Sequence, residues 1–225
     1  AGDRMVVITA DDDTARVSAE PAGGVVESAI VPAGPRARKP ERTLLLGWNW
    51  RAPAILRELD AYVPPGSTVS VVADLDAPEA AVAEIRPGLR HTTIEVTRGD
   101  TTDRRLLNGL HVETFDHLII LCYADVLDVQ RADARTLITL LHLRDIAATQ
   151  DVDLSITSEM LDLRNRALAE VTRADDFIVS DRLTSLLITQ ISENKQLRPV
   201  FDDLFDPEGA EIYLRPMADD GRLGG

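Results

Sequence analysis

Six short runs of apolar or β-branched residues recur along the middle of the chain, most of them followed by a turn signal and a stretch of helical spacing. They fall at 43–46 (TLLL), 68–73 (TVSVVA), 91–96 (HTTIEV), 117–122 (HLIILC), 152–157 (VDLSIT) and 176–179 (DFIV). Strands alternating with helices specify a parallel sheet covered on both faces, because a parallel crossover needs a connection of helix length. The run at 117–122 is apolar without interruption, as a central strand buried on both faces requires. The expected fold class is α/β, a Rossmann-like doubly wound parallel six-stranded sheet.

Apolar spacing predicts helices over 53–62 (Ile55, Leu56, Leu59), 78–85, 103–110 and 128–148, the last with Leu137, Ile138, Leu140, Leu141, Leu143 and Ile146 on a wide apolar face. Further helices are expected over 158–171 and 180–193. The second of these takes Ser180 or Asp181 as N-cap and carries Leu183, Leu186, Leu187 and Ile191 on one stripe. Such a stripe must be buried, either as a lid on the sheet edge or as a crossover or dimer helix. A short helix at 199–204, a turn at 207–209 and a strand at 211–214 (EIYL) complete the tail. Upstream, 5–9 (MVVIT) reads as a strand stopped by Asp11, Asp12 and Asp13, and residues 21–40, with four prolines and three glycines, as an extended connector. A boundary is expected near residue 40.

The chain's 24 basic residues against 38 acidic ones leave a net charge of −14, which opposes nucleic acid and anionic membrane surfaces and suits cations where carboxylates converge. No stretch approaches the roughly 20 apolar residues of a membrane-spanning helix, and no signal peptide opens the chain. The single cysteine, Cys122, excludes an intrachain disulfide and suits a reducing, cytosolic compartment. The chain starts without methionine, opens in a strand and ends in a glycine tail, so a fragment of a larger protein is expected.

A dinucleotide turn needs one glycine for the tight turn, a second where backbone meets pyrophosphate, and a third small residue for helix packing. The matching positions are Gly47, Asn49 and Ala52, so the second is replaced by a side chain, and Trp48 and Trp50 crowd the same turn. A structural turn without a dinucleotide is the preferred reading of this loop. Asp74 ends the second strand, where an acidic residue meets a ribose, and Gly99, Asp100 and Thr101 end the third, with Asp100 or Thr101 able to cap the next helix. These seven residues, Gly47, Trp48, Asn49, Asp74, Gly99, Asp100 and Thr101, line the carboxyl edge where open α/β folds take ligands. The densest acidic cluster, Asp11, Asp12 and Asp13, is the candidate metal site, although solvated charge also explains it. The histidines lack metal spacing, and nothing resembles a catalytic set. An NAD-dependent oxidoreductase with a degenerate glycine loop stays as the alternative to a non-enzyme.

Several motifs together resemble the regulator-of-K+-conductance (RCK) domain of Castor/Pollux-type channels. They are 42–48 (RTLLLGW), Pro65-Gly66-Ser67, Gly99-Asp100-x-Thr102, Asp133-Ala134-Arg135-x-Leu137, 163–166 (LRNR), 176–180 (DFIVS) and 201–216 (FDDLFDPEGAEIYLRP). The resemblance divides the chain into the closing strand of a preceding RCK domain at 1–14, a linker at 15–40, a Rossmann-like N-lobe at 41–180, a crossover helix with a small C-terminal extension at 181–217, and a tail at 218–225. It implies a cytosolic gating ring of several RCK domains, coupled to a membrane pore elsewhere in the parent chain. The implied partners are further copies of the chain, without nucleic acid or direct membrane contact, and the implied effector is calcium or a nucleotide such as NAD or ATP.

Overall fold

The structure, a computed structural model, describes residues 39–165 and 177–207, all within one compact unit spanning 37–212. The expected strand at 5–9, the linker, Asp11, Asp12 and Asp13, and the expected strand at 211–214 lie outside the described residues.

Six parallel strands form one sheet: β1 (Arg42–Leu46), β2 (Ser67–Ala73), β3 (Thr92–Arg98), β4 (His117–Ile120), β5 (Ile156–Met160) and β6 (Phe177–Val179). Their order is β3-β2-β1-β4-β5-β6, the doubly wound order in which the winding reverses between β1 and β4. Leu46 pairs with Val72 on one side and Ile120 on the other, so the ends of β1, β2 and β4 are level.

Alternation along β1 divides the core. Leu44 and Leu46 join Leu118, Ile120 and Ile156 under α3 (Arg104–Gly109) and α4 (Val129–Gln150), which contribute Leu107, Leu140, Leu143 and Ile146. Leu45 joins Val69, Val71 and Ile94 on the opposite face, under Leu56 of α1 (Ala52–Tyr62) and Val82 of α2 (Pro78–Ala83). Each buried Leu or Ile side chain contributes about 1.5–3 kcal/mol. Asp60 of α1 fastens this layer: its carboxylate accepts the N–H groups of Arg90, His91 and Thr92 at 2.8 Å each. Burial acts to raise the Asp60 carboxyl pKa, but these donors outweigh it and hold it below the ordinary value.

Expectations about two strands, the face of α4 and the start of the helix at 180 need correction. The fourth strand stops at Ile120, because Leu121 makes one more ladder bond to Leu46 and the chain then leaves the sheet while Leu121, Cys122 and Tyr123 stay buried. The fifth strand lies at 156–160 instead of 152–157. Residues 151–155 are the exit from α4, with Asp151 in the left-handed cap position at φ 54°, so residues 158–160, read as the start of a helix, are strand. On α4 the stripe facing the sheet runs through Thr136, Thr139, Leu140, Leu143 and Ile146, which turns Ile138 and Leu141 to solvent, 42% and 50% exposed. Finally, α5 (Ser180–Glu193) starts at Ser180 itself, so Val179 takes the cap position with no side-chain cap bond.

Among the described residues of α5, Leu183 and Leu186 of the stripe are about half exposed and Leu187 and Ile191 are partly buried, while Ile188, on another face, is exposed. After it, α6 (Arg198–Leu204) stacks Phe201 on Phe205, and the Tyr62 hydroxyl donates to the Phe205 carbonyl at 3.0 Å.

Candidate functional site

The β1–α1 turn is built on Gly47. Its φ of +91° is a glycine conformation, and any Cβ there would collide with the Leu121 carbonyl oxygen. The turn is tight enough for a phosphate loop, but a side chain fills it. Asn49 is fully buried, and its Nδ2 donates to the Cys122 carbonyl at 2.8 Å and to Glu159 Oε2 at 2.6 Å. Its Oδ1 accepts the Arg51 N–H at 2.9 Å, and its carbonyl accepts the Ala52 N–H at 3.0 Å. Pro53 has no N–H to offer. The Arg51 and Ala52 amides are therefore spent within the turn, and an amide side chain fills the place a pyrophosphate would take. The residues here do not fit a dinucleotide.

Arg51 completes this plug. Its guanidinium binds Glu159 Oε1 at 2.9 Å and lies 4.5 Å from the ring centre of Trp50, an exposed indole. Trp48, half buried, packs on the α1 face of the core instead of lining an opening. Glu159 also accepts the Cys122 thiol at 3.1 Å, and burial, followed by the Glu159 charge, pushes that thiol above its ordinary pKa. Cys122 is a packed, protonated thiol.

On the other side of β1 the strand ends are covered differently. Asp74 and Asp100, at the ends of β2 and β3, are drawn together by Arg135 of α4, at 3.8 and 2.7 Å. Arg135 stacks 4.8 Å from the ring centre of Tyr123, whose hydroxyl accepts the Asp74 N–H at 2.9 Å. Burial acts to raise the Asp100 carboxyl pKa, but hydrogen bonds from the Thr102 amide and hydroxyl, and then the Arg135 charge, hold it below the ordinary value. The expected cap is corrected: Asp103, not Asp100 or Thr101, caps α3 by accepting the Arg105 N–H at 2.8 Å. Thr101 is buried, its carbonyl accepting the Thr139 hydroxyl at 3.1 Å. Gly99 is fixed by a close approach, since a Cβ would stand 2.6 Å from the Leu106 side chain.

The candidate residues thus fall into two groups, Gly47, Trp48 and Asn49 over β1, and Asp74, Gly99, Asp100 and Thr101 over β2 and β3. Arg51, Tyr123, Arg135 and Glu159, which hold both groups in place, were not among the expected site residues.

No protein-family model matches the chain. It is 31% identical over 252 residues to "Probable ion channel CASTOR" of Oryza sativa subsp. japonica, a match covering 96% of this chain and 28% of that protein. It is 30% identical to "Ion channel POLLUX" of Lotus japonicus, covering 96% of this chain and 27% of that protein. The chain is a homologue of the Castor/Pollux ion channels. It spans less than a third of the length of those relatives. Among solved structures, the human SLO3 gating ring superposes with a TM-score of 0.43 at 13% identity, covering 61% of this chain and 24% of that one. An NADH-dependent reductase A1-R' complexed with NAD gives 0.36 at 20% identity, covering 54% and 59%.

In this Castor/Pollux homologue the Asp133-Ala134-Arg135 motif of α4 works in two directions. Arg135 reaches Asp74 and Asp100, while Asp133, buried, accepts the N–H groups of Leu161 and Asp162 at 2.9 and 3.0 Å and the Asn165 side-chain amide at 2.7 Å. This clasp holds the exit of β5 against α4. Beside it, Gln130, Ala134, Leu137, Asp162, Arg164 and Asn165 line an open cleft of about 430 Å³. Among the described residues no three His, Cys, Asp or Glu side chains are grouped to hold a metal, and no helix is long and apolar enough to cross a membrane.

Proposed function

We propose that the chain is a cytosolic regulatory module of a Castor/Pollux-type channel, an RCK-like gating-ring lobe. It binds an effector and passes the resulting strain to a pore carried elsewhere in the parent protein, and it is not an enzyme. The observation that carries this reading is the 31% identity to a channel protein over 96% of the chain. The stripe of α5 supports assembly: an isolated helix of 14 residues is marginal in water, so the half-exposed Leu183 and Leu186 suit burial against a second copy. The filled β1–α1 turn favours an effector taken outside the glycine crevice, and calcium at Asp11, Asp12 and Asp13 over NAD or ATP.

Sedimentation equilibrium tests the assembly: the chain is expected to self-associate, and Leu186→Asp to return it to a monomer. Calorimetry tests the effector, with calcium heat expected from the wild type and lost when Asp11, Asp12 and Asp13 are changed to Asn. A monomeric wild type, in a parent gene that encodes no membrane helices, would sink the channel reading.

A further inference from the structure

Glu159 is bound as a ligand is bound. Its Oε2 accepts from Asn49 Nδ2 at 2.6 Å, from the Cys122 amide at 3.3 Å and from the Cys122 thiol at 3.1 Å, and its Oε1 accepts from Arg51 Nη1 at 2.9 Å. The donors come from two loops, the β1–α1 turn and the exit of β4, while the carboxylate comes from β5. Only 7% of the Glu159 side chain is exposed, and a charge so buried persists only where it is paired and hydrogen-bonded. Open α/β folds bring anions of their ligands to this crevice between β1 and β4. Here side chains supply the donors and the protein supplies the anion.

We propose that Asn49, Arg51 and Cys122 form a carboxylate-binding pocket whose resident anion is Glu159, a tethered ligand that excludes external anions and fastens the ends of β1, β4 and β5 together. The inference concerns this pocket alone and stands or falls independently of the channel reading. It implies that shortening Glu159 vacates a site matched in charge and size to a one- or two-carbon carboxylate. Formate or acetate then restores what the side chain supplied. An ordinary structural ion pair predicts loss on substitution without recovery by a free anion.

The test uses Glu159→Ala in the full 225-residue chain. Thermal unfolding and tryptophan emission are followed while sodium formate replaces sodium chloride at constant ionic strength; emission reports on the pocket because Arg51 stacks on Trp50. The variant is expected to unfold at a lower temperature than the wild type and to recover saturably with formate, its emission returning along the same curve. Wild type and Glu159→Gln, whose pockets stay filled, are expected not to respond. A Glu159→Ala response to formate no larger than that of the wild type would overturn the proposal. If Glu159→Ala does not fold, Glu159→Gln carries the test, because loss of the charge must release Arg51 and change Trp50 emission as Arg51→Gln does. Emission unchanged from the wild type in Glu159→Gln overturns the proposal, as does saturable binding of AMP or formate by the wild type in this pocket.

Discussion

The two halves of the sheet's carboxyl edge have the same backbone plan and opposite coverings. Over β1, β4 and β5 two polar side chains are buried and multiply hydrogen-bonded, Asn49 being fully inaccessible and Glu159 nearly so. Over β2 and β3 the charges are close to half exposed, Asp74 at 45% and Asp100 at 47% of their side chains, with Arg135 shared between them. Buried, saturated groups resist change because removing one orphans the others. Half-exposed pairs are screened by water and yield cheaply. The difference teaches that the part of the edge best placed for a phosphate is the rigid part, and that the compliant part is the acidic corner beside it.

Glycines at the two halves give the sharpest way to break that comparison. Gly47→Val puts a side chain into a positive-φ position against the Leu121 carbonyl, a backbone atom that cannot step aside, and is expected to cost on the order of 4 kcal/mol or more. Gly99→Ala meets the Leu106 side chain, which can rotate, and is expected to cost about 1–2 kcal/mol. Urea midpoints of the two variants test this; equal losses would mean the halves are equally rigid.

Asp133 probes the closed side from beneath. Asp133→Ala removes the acceptor of three half-buried N–H donors, those of Leu161, Asp162 and the Asn165 side chain, at an expected cost of about 1–3 kcal/mol. Hydrogen exchange at the Leu161 and Asp162 amides is expected to accelerate before exchange in β1. Uniform acceleration through the sheet would show that the clasp is part of the core.

The sheet was legible in the sequence because apolar runs and helical spacing are local signals, and Asp74 and Asp100 were legible because strand-end carboxylates occupy a fixed place in such folds. Glu159 was not legible. The run VDLSIT offers Val152, Leu154 and Ile156 in strand alternation, whereas the true strand ITSEM buries Ser158 and Glu159, so the polar half of β5 read as a helix start. What makes these residues strand is the pairing of Ser158 with Ile120 and the donors waiting for Glu159, both set by residues far away in sequence. Arg135 and Asp133 escaped for the same reason. Their motif was visible, but which partners lie above and below α4 is decided by packing. The apolar count on α4 likewise could not tell Leu140 from Leu141 until the sheet chose a face.

The smallest effect belongs to the open corner, where pH supplies the finest comparison. The Asp100 carboxyl pKa is lower in the folded chain than its ordinary value, so the Thr102 and Arg135 contacts add stability at neutral pH. That contribution is complete above the unfolded carboxylate pKa of about 4 and is lost as pH falls through the lower folded value. With the side chain nearly half exposed, screening holds the pair to less than about 1 kcal/mol. Asp100→Asn is therefore expected to lower the urea midpoint slightly at pH 7, to converge with the wild type below about pH 4, and to narrow its deficit as salt rises. A deficit that persists in acid, or one insensitive to salt, would mean that Asp100 acts through buried hydrogen bonds, and the contrast between the two halves of the edge would then dissolve.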